Sequence, residues 1–158
     1  VGSDDLRGWT IDWADVAAAG TIRLSDDPLW ATLRAGSIVT FSEDQPDDLS
    51  YDPASGDWSI NLQVTVGGTS PYVSTDAALE VSHDDWRVTV RDRTASPRFG
   101  PLGEGTATPS GVNSQEVAAY QLDPSRTPDP AGYDDRTVSS FGLPNVTASG
   151  VQDFTSLR

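Results

Sequence analysis

Trp58-Ser59-Ile60-Asn61-Leu62-Gln63-Val64-Thr65-Val66 is the stretch that decides the fold class. Its apolar residues occupy every second position, so on an extended backbone Trp58, Ile60, Leu62, Val64 and Val66 share one face. Ser59, Asn61, Gln63 and Thr65 share the other. This is the pattern of a half-buried antiparallel strand, ended by Gly67-Gly68.

The same alternation recurs on either side. Trp86-Arg87-Val88-Thr89-Val90-Arg91 places Trp86, Val88 and Val90 inward, and 21–24, 37–41 and 117–122 are further strand candidates. Segments rich in Gly, Pro and Asp separate them at 43–56, 95–111 and 123–133. Helix is scarce. Asp26-Asp27-Pro28-Leu29-Trp30-Ala31-Thr32-Leu33-Arg34-Ala35-Gly36 offers an Asp N-cap, Pro at the first helical position, an apolar face of Leu29, Trp30 and Leu33, and a Gly stop. Thr75-Asp76-Ala77-Ala78-Leu79 is a candidate for one more turn. Closely spaced strands joined by Gly, Pro and Asp turns predict an all-β fold, an antiparallel β-sandwich with one or two short helical turns.

At the start of the chain, Val1-Gly2-Ser3-Asp4-Asp5-Leu6-Arg7-Gly8-Trp9-Thr10-Ile11 reads as a polar turn running into a strand. Leu6, Trp9 and Ile11 are its apolar anchors, and Gly8 permits a close backbone approach.

With 158 residues the chain has the length of one domain, or of one domain with an ordered tail. A chain of this size buries roughly 70% of its unfolded surface, enough for a core without staples. It has no Cys, which excludes disulfides and thiolate metal sites. The net charge is -14, so neither nucleic acid nor an anionic membrane is an expected partner. All 10 bases are Arg and 20 of the 24 acids are Asp, a bias that both a GC-rich coding sequence and adaptation to high salt produce. No signal peptide and no membrane-length apolar run is present. A chain opening at Val1 without Met reads as a processed or partial product, compatible with secretion.

Candidate chemistry is sparse. His83 is the sole His, in Ser82-His83-Asp84-Asp85-Trp86, without a nucleophile elbow to complete a triad. Glu104, between Gly103 and Gly105, and Glu116 are the best-placed carboxylates for a paired acid and base, but 24 acids make some such pair inevitable. The expected reading is non-enzymatic. Asp44, Asp47, Asp48, Asp52 and Asp57 gather on one loop and are the candidate calcium ligands, against the plainer reading of a solvated acidic loop. Among the five Trp, Trp9, Trp58 and Trp86 are in phase with apolar strand faces and Trp30 with the helix face. Trp13, flanked by Asp12 and Asp15, is the one expected at the surface and is the candidate sugar-stacking residue. Asn145-Val146-Thr147 is an N-glycosylation sequon.

The block from Asp4 to Ile11 resembles the Asp-Leu-(Ser/Arg)-Gly-Trp signature of lamin-tail-like domains, in the branch found on secreted or surface proteins of bacteria and archaea. The likeness continues in order through Ser25-Asp26-Asp27-Pro28-Leu29-Trp30, then 34–44, 51–58, 82–92, 98–105 and 111–117, to Ser139-Ser140-Phe141-Gly142-Leu143-Pro144-Asn145. It implies an immunoglobulin-like antiparallel β-sandwich over residues 1–145 whose usual leading strand is absent, and a C-terminal extension over 146–158. It also implies a non-catalytic module outside the cell or at its surface. A sandwich lacking one strand exposes unpaired backbone groups, which strand addition from another chain would satisfy. The expectation is therefore a structural or interaction subunit that assembles with copies of itself or with another surface protein. Val151, Phe154 and Leu157 of the extension are its candidate assembly residues. The competing expectation is an accessory carbohydrate- or surface-binding domain of a larger secreted hydrolase. No cofactor is expected other than calcium.

Overall fold

The computed structural model describes residues 5–15, 17–68, 70–79 and 87–101, together with the backbone of 102–103, 116–122, 128–135, 146–147 and 150–151. In chain order the elements are β1 (Thr10–Ala14), β2 (Ala19–Leu24), α1 (Leu29–Thr32), β3 (Ile38–Ser42), β4 (Ser59–Gln63), β5 (Val73–Thr75), β6 (Arg87–Arg91), β7 (Pro97–Gly103), β8 (Glu116–Leu122), β9 (Pro128–Asp135), β10 (Val146–Thr147) and β11 (Gly150–Val151). Among the described residues the fold is mostly β, with α1 its one helix. Its main feature is a five-stranded antiparallel sheet in the order β5-β2-β1-β6-β7. The backbone of β8 and β9 forms one further antiparallel hairpin, and that of β10 and β11 another.

Local chemistry makes these elements. The β1–β2 hairpin closes because Asp15 Oδ1 accepts the N–H groups of Ala17 and Ala18, both at 2.7 Å. In the opening block Gly8 has φ +72°, a left-handed conformation that favours glycine. Around it Leu6 N–H reaches Trp30 O at 2.9 Å, and Gly8 N–H reaches Leu24 O at 3.1 Å. Asp5 adds a second tie, with one oxygen 2.8 Å from both the Arg7 and Arg93 guanidinium nitrogens. Pro28 is the N-cap of α1, one place later than the sequence predicts, and Asp27 just before it still accepts the Leu29 N–H through Oδ1 at 2.8 Å.

The core lies between the five-stranded sheet and a second layer made of β3, β4 and α1. Ile22, Leu24 and Val73 enter it from the sheet, Ile60, Leu62 and Val64 from β4, and Trp30 and Leu33 from α1 and its end. Trp9, Ile11, Val39 and Phe41 pack around this centre. The opposite face of the sheet is polar, as alternation requires. There Arg91 Nε lies 2.7 Å from Asp12 Oδ2, and Thr21 Oγ1 donates to Asp12 Oδ1 at 3.2 Å.

Four expectations change. β4 runs parallel to β3, with Val39 opposite Ile60 and Phe41 opposite Leu62. The connection between them spans residues 43–58, long enough to return the chain to the end where β3 began. The apolar face of β4 also stops early. Gly68 N–H bonds to Thr65 O at 2.8 Å, and this turn leaves Val66 52% exposed. Trp58 is half-buried rather than central, and the Arg34 guanidinium sits 5.0 Å from the centroid of its ring. Residues 75–79 form no helical turn. The Thr75 hydroxyl pairs with the backbone of Ala77, donating to its carbonyl at 2.7 Å.

Trp13 and Gly20 are direct partners across β1 and β2, and the indole lies over the glycine. A Cβ at position 20 would stand 2.8 Å from three indole atoms. Gly20→Ala is therefore expected to destabilise the fold by about 1–3 kcal/mol through overpacking. Urea unfolding should show this loss, and Trp13→Leu in the same chain should recover part of it.

Candidate functional site

The acidic loop after β3 is the first candidate, and the carboxylates of Asp47, Asp48, Asp52 and Asp57 are already engaged. Asn61, inside β4 and only 8% exposed, donates its Nδ2 to the carbonyls of Gln45 (3.2 Å) and Pro46 (2.7 Å). Asp48 and Asn61 exchange backbone bonds of 2.8 and 3.0 Å, so the loop returns alongside β4. Asp47 Oδ1 accepts the Gln63 N–H at 2.7 Å, and its Oδ2 accepts the Ser70 hydroxyl at 3.3 Å. Asp48 accepts the Ser50 N–H at 3.0 Å, a bond that holds its carboxyl below the usual range. Asp52 accepts the Ala54 N–H, while Asp57 accepts Ser59 N–H and the Ser50 hydroxyl.

These carboxylates do not converge. Among the described residues no three acidic or His side chains form a group able to hold a metal ion. The predicted set of Asp44, Asp47, Asp48, Asp52 and Asp57 is thus a series of separate turn and edge caps, with Asp44 exposed outside them. The physical reason is that a short Asp side chain beside free N–H groups satisfies its own loop first.

Trp13 does not lie where its neighbours suggest. It is 2% exposed, so its ring offers no stacking platform. The flanking acids misdirect because neighbours in a strand point to opposite faces: Asp12 reaches Arg91 on the polar side while Trp13 faces inward. The signal that would have placed it is Trp9-x-Ile11-x-Trp13, one continuous alternation. Asn145, Phe154, Leu157, His83, Trp86 and Glu104 lie outside the described residues. The backbone of Val151 pairs with Val146 in the β10–β11 hairpin.

Sequence reasoning passed over the residue that organises the β6–β7 turn. Asp92, 7% exposed, accepts through Oδ1 from Thr94 N–H (2.8 Å), Thr94 Oγ1 (2.6 Å) and Ser96 N–H (3.1 Å). Its Oδ2 accepts Arg98 Nε at 2.6 Å. The Asp-x-Thr-x-Ser spacing was the available signal. The Thr94 hydroxyl above all, then the backbone N–H groups and Arg98, hold the Asp92 carboxyl well below the usual range. Arg7 does the same for Asp5. A carboxyl depressed in the folded state stabilises the fold above its unfolded pKa, about 3.9, and that contribution disappears as pH falls towards the folded value. The urea midpoint is expected to drop below about pH 4, and Asp92→Asn should flatten that drop while lowering the midpoint at neutral pH.

The remaining feature is a groove of about 380 Å³ at the margin of the sheet. One wall is β5; the other is the end of β4, with Gln63, Val64 and Thr65, and Asp47 stands beside them. Buried Val64 and Val73 give it an apolar floor. The β2–β5 ladder fixes which backbone groups look into it. Ser25 N–H donates to Tyr72 O at 2.9 Å and Asp76 N–H to Thr21 O at 3.4 Å, so Ser74, midway between, turns its backbone to Arg23. Val73 and Thr75 turn theirs the other way, to the outer edge, where no described residue bonds to them. On the facing wall Val64 N–H is used by Ser42 O at 2.8 Å, leaving Gln63 and Thr65 turned outward.

No helix among the described residues is long and apolar enough to cross a membrane. No family model matches the chain, and neither a curated protein nor a solved structure matches it significantly.

Proposed function

We propose that this chain is a non-catalytic interaction module, an immunoglobulin-like sandwich of lamin-tail type that works outside the cell or at its surface. Its role is to receive a strand from another chain, either a copy of itself or another surface protein. The observation that carries this reading is the outer edge of β5, whose Val73 and Thr75 backbone groups face an apolar-floored groove and have no bonding partner among the described residues. Unpaired backbone groups beside apolar surface are a template for strand pairing, because each buried group left unmet costs about 1–3 kcal/mol. The engaged carboxylates of the acidic loop fit the same role, since they hold the groove's wall in place.

Light scattering over a range of protein concentrations, with amide hydrogen exchange on the same samples, tests this. The Val73 and Thr75 amides are expected to exchange rapidly in the monomer and to slow in any assembled state. A monomer at all concentrations in which both amides are already protected would overturn the reading.

A further inference from the structure

We propose that the groove between β4 and β5 takes an extended, basic peptide segment of a different protein, added as a strand to the outer edge of β5. This rests on the interaction-module reading and narrows it to a partner chemistry. The geometry supplies the three parts that strand addition uses: a row of backbone donors and acceptors with no partner among the described residues, an apolar floor for alternate side chains, and access from solvent. Val73 and Thr75 present N–H and C=O groups along one wall. At a rise of about 3.3 Å per residue the three residues of β5 give an edge about 10 Å long. Gln63 and Thr65 form the facing wall with their own backbone bonds closed, Gln63 N–H by Asp47 Oδ1 and Thr65 O by Gly68 N–H, so the β5 edge alone supplies the ladder, and Val64 and Val73 receive the apolar side chains of an alternating sequence. The volume lies within the ordinary range of binding clefts.

Charge selects the partner. Every residue lining the groove comes from the segment between Arg34 and Arg87, which carries 10 acids and no Lys or Arg. Asp47 stands in the groove itself, and Glu43 and Asp76 flank its two walls. A second copy of this chain would bring its own charge of -14 to the contact. Like charges at an interface oppose association, whereas a basic strand is both attracted and steered. The occupant is therefore a foreign segment with Lys or Arg alternating with apolar residues.

The test uses the full chain and a fluorescein-labelled octapeptide of alternating Arg and Val. Binding is followed by fluorescence anisotropy, and contacts by amide chemical shifts and hydrogen exchange. The peptide is expected to bind, to shift and protect the Val73 and Thr75 amides, and to bind less tightly as salt rises. Thr75→Pro removes an outward N–H without touching a β2 bond, and should weaken binding roughly tenfold. Asp47→Asn keeps an acceptor for the Gln63 N–H but removes the charge, and should weaken it about threefold. N-methylation of alternate peptide residues should abolish binding with the protein unaltered, so the result does not depend on the proline variant folding. Equal binding of the same peptide with Glu in place of Arg would overturn the proposal, as would shifts confined to other surfaces. So would Val73 and Thr75 amides protected before peptide is added, whether by a second copy or by this chain's own tail. Failure of the peptide alongside self-association through the β5 edge would refute the basic partner and leave the interaction module standing.

Discussion

Replacing Trp30 by Ala is expected to lower the free energy of unfolding by about 3–5 kcal/mol, the largest loss from any one side chain of the second layer. Trp30 is 1% exposed and fills the space between α1, the sheet and β4. Its Nε1 also donates to Tyr72 O at 2.8 Å, the carbonyl that receives Ser25 N–H at the start of β5. Truncation therefore leaves a cavity and loosens the strand whose outer edge borders the groove. Trp30→Phe keeps most of the volume and loses only the N–H, so about 1–3 kcal/mol is expected. Urea unfolding followed by far-ultraviolet circular dichroism checks both variants. A loss from Trp30→Ala no greater than that from Trp30→Phe would contradict the packing described here.

The second large effect lies in β4. Leu62 has no exposed surface, and Leu62→Ala should cost about 2–5 kcal/mol. Val66→Ala should stay within about 0.5 kcal/mol, because Val66 is 52% exposed. In the sequence the two residues occupy equivalent places in one alternating run. The pair therefore separates what periodicity says from what packing says, and the same unfolding experiment reads it.

That contrast explains how much of the fold was legible. Alternation located β2, β3 and β6 to within a residue or two, and the start of β4, because side-chain direction in a strand follows from backbone geometry alone. Asp27 and Pro28 marked α1 for an equally local reason. The parallel pairing of β3 with β4 was not legible, since the direction of a returning chain depends on how a 16-residue connection folds over the core. The candidate sites fared similarly. Acidic clustering on the loop was evident, but the partners of Asp47, Asp48, Asp52 and Asp57 are backbone N–H groups that local folding brings near. Asn61 looked like a residue of the polar face of its strand, and it is buried because the loop lies back across that face.

By itself the sequence determined a mostly β chain, the alternating faces of its strands, one short helical turn, a carboxylate-rich character and a region of 52 residues without Lys or Arg. These follow from residue type and spacing, which act over one strand or one turn. Only the tertiary structure decided that Trp13 lies over Gly20, that β4 runs parallel to β3, and that the outer edge of β5 meets a groove. Each depends on which distant segment arrives beside a given strand. Strand pairing is chosen by the packing of the whole core, and no single run of residues encodes it.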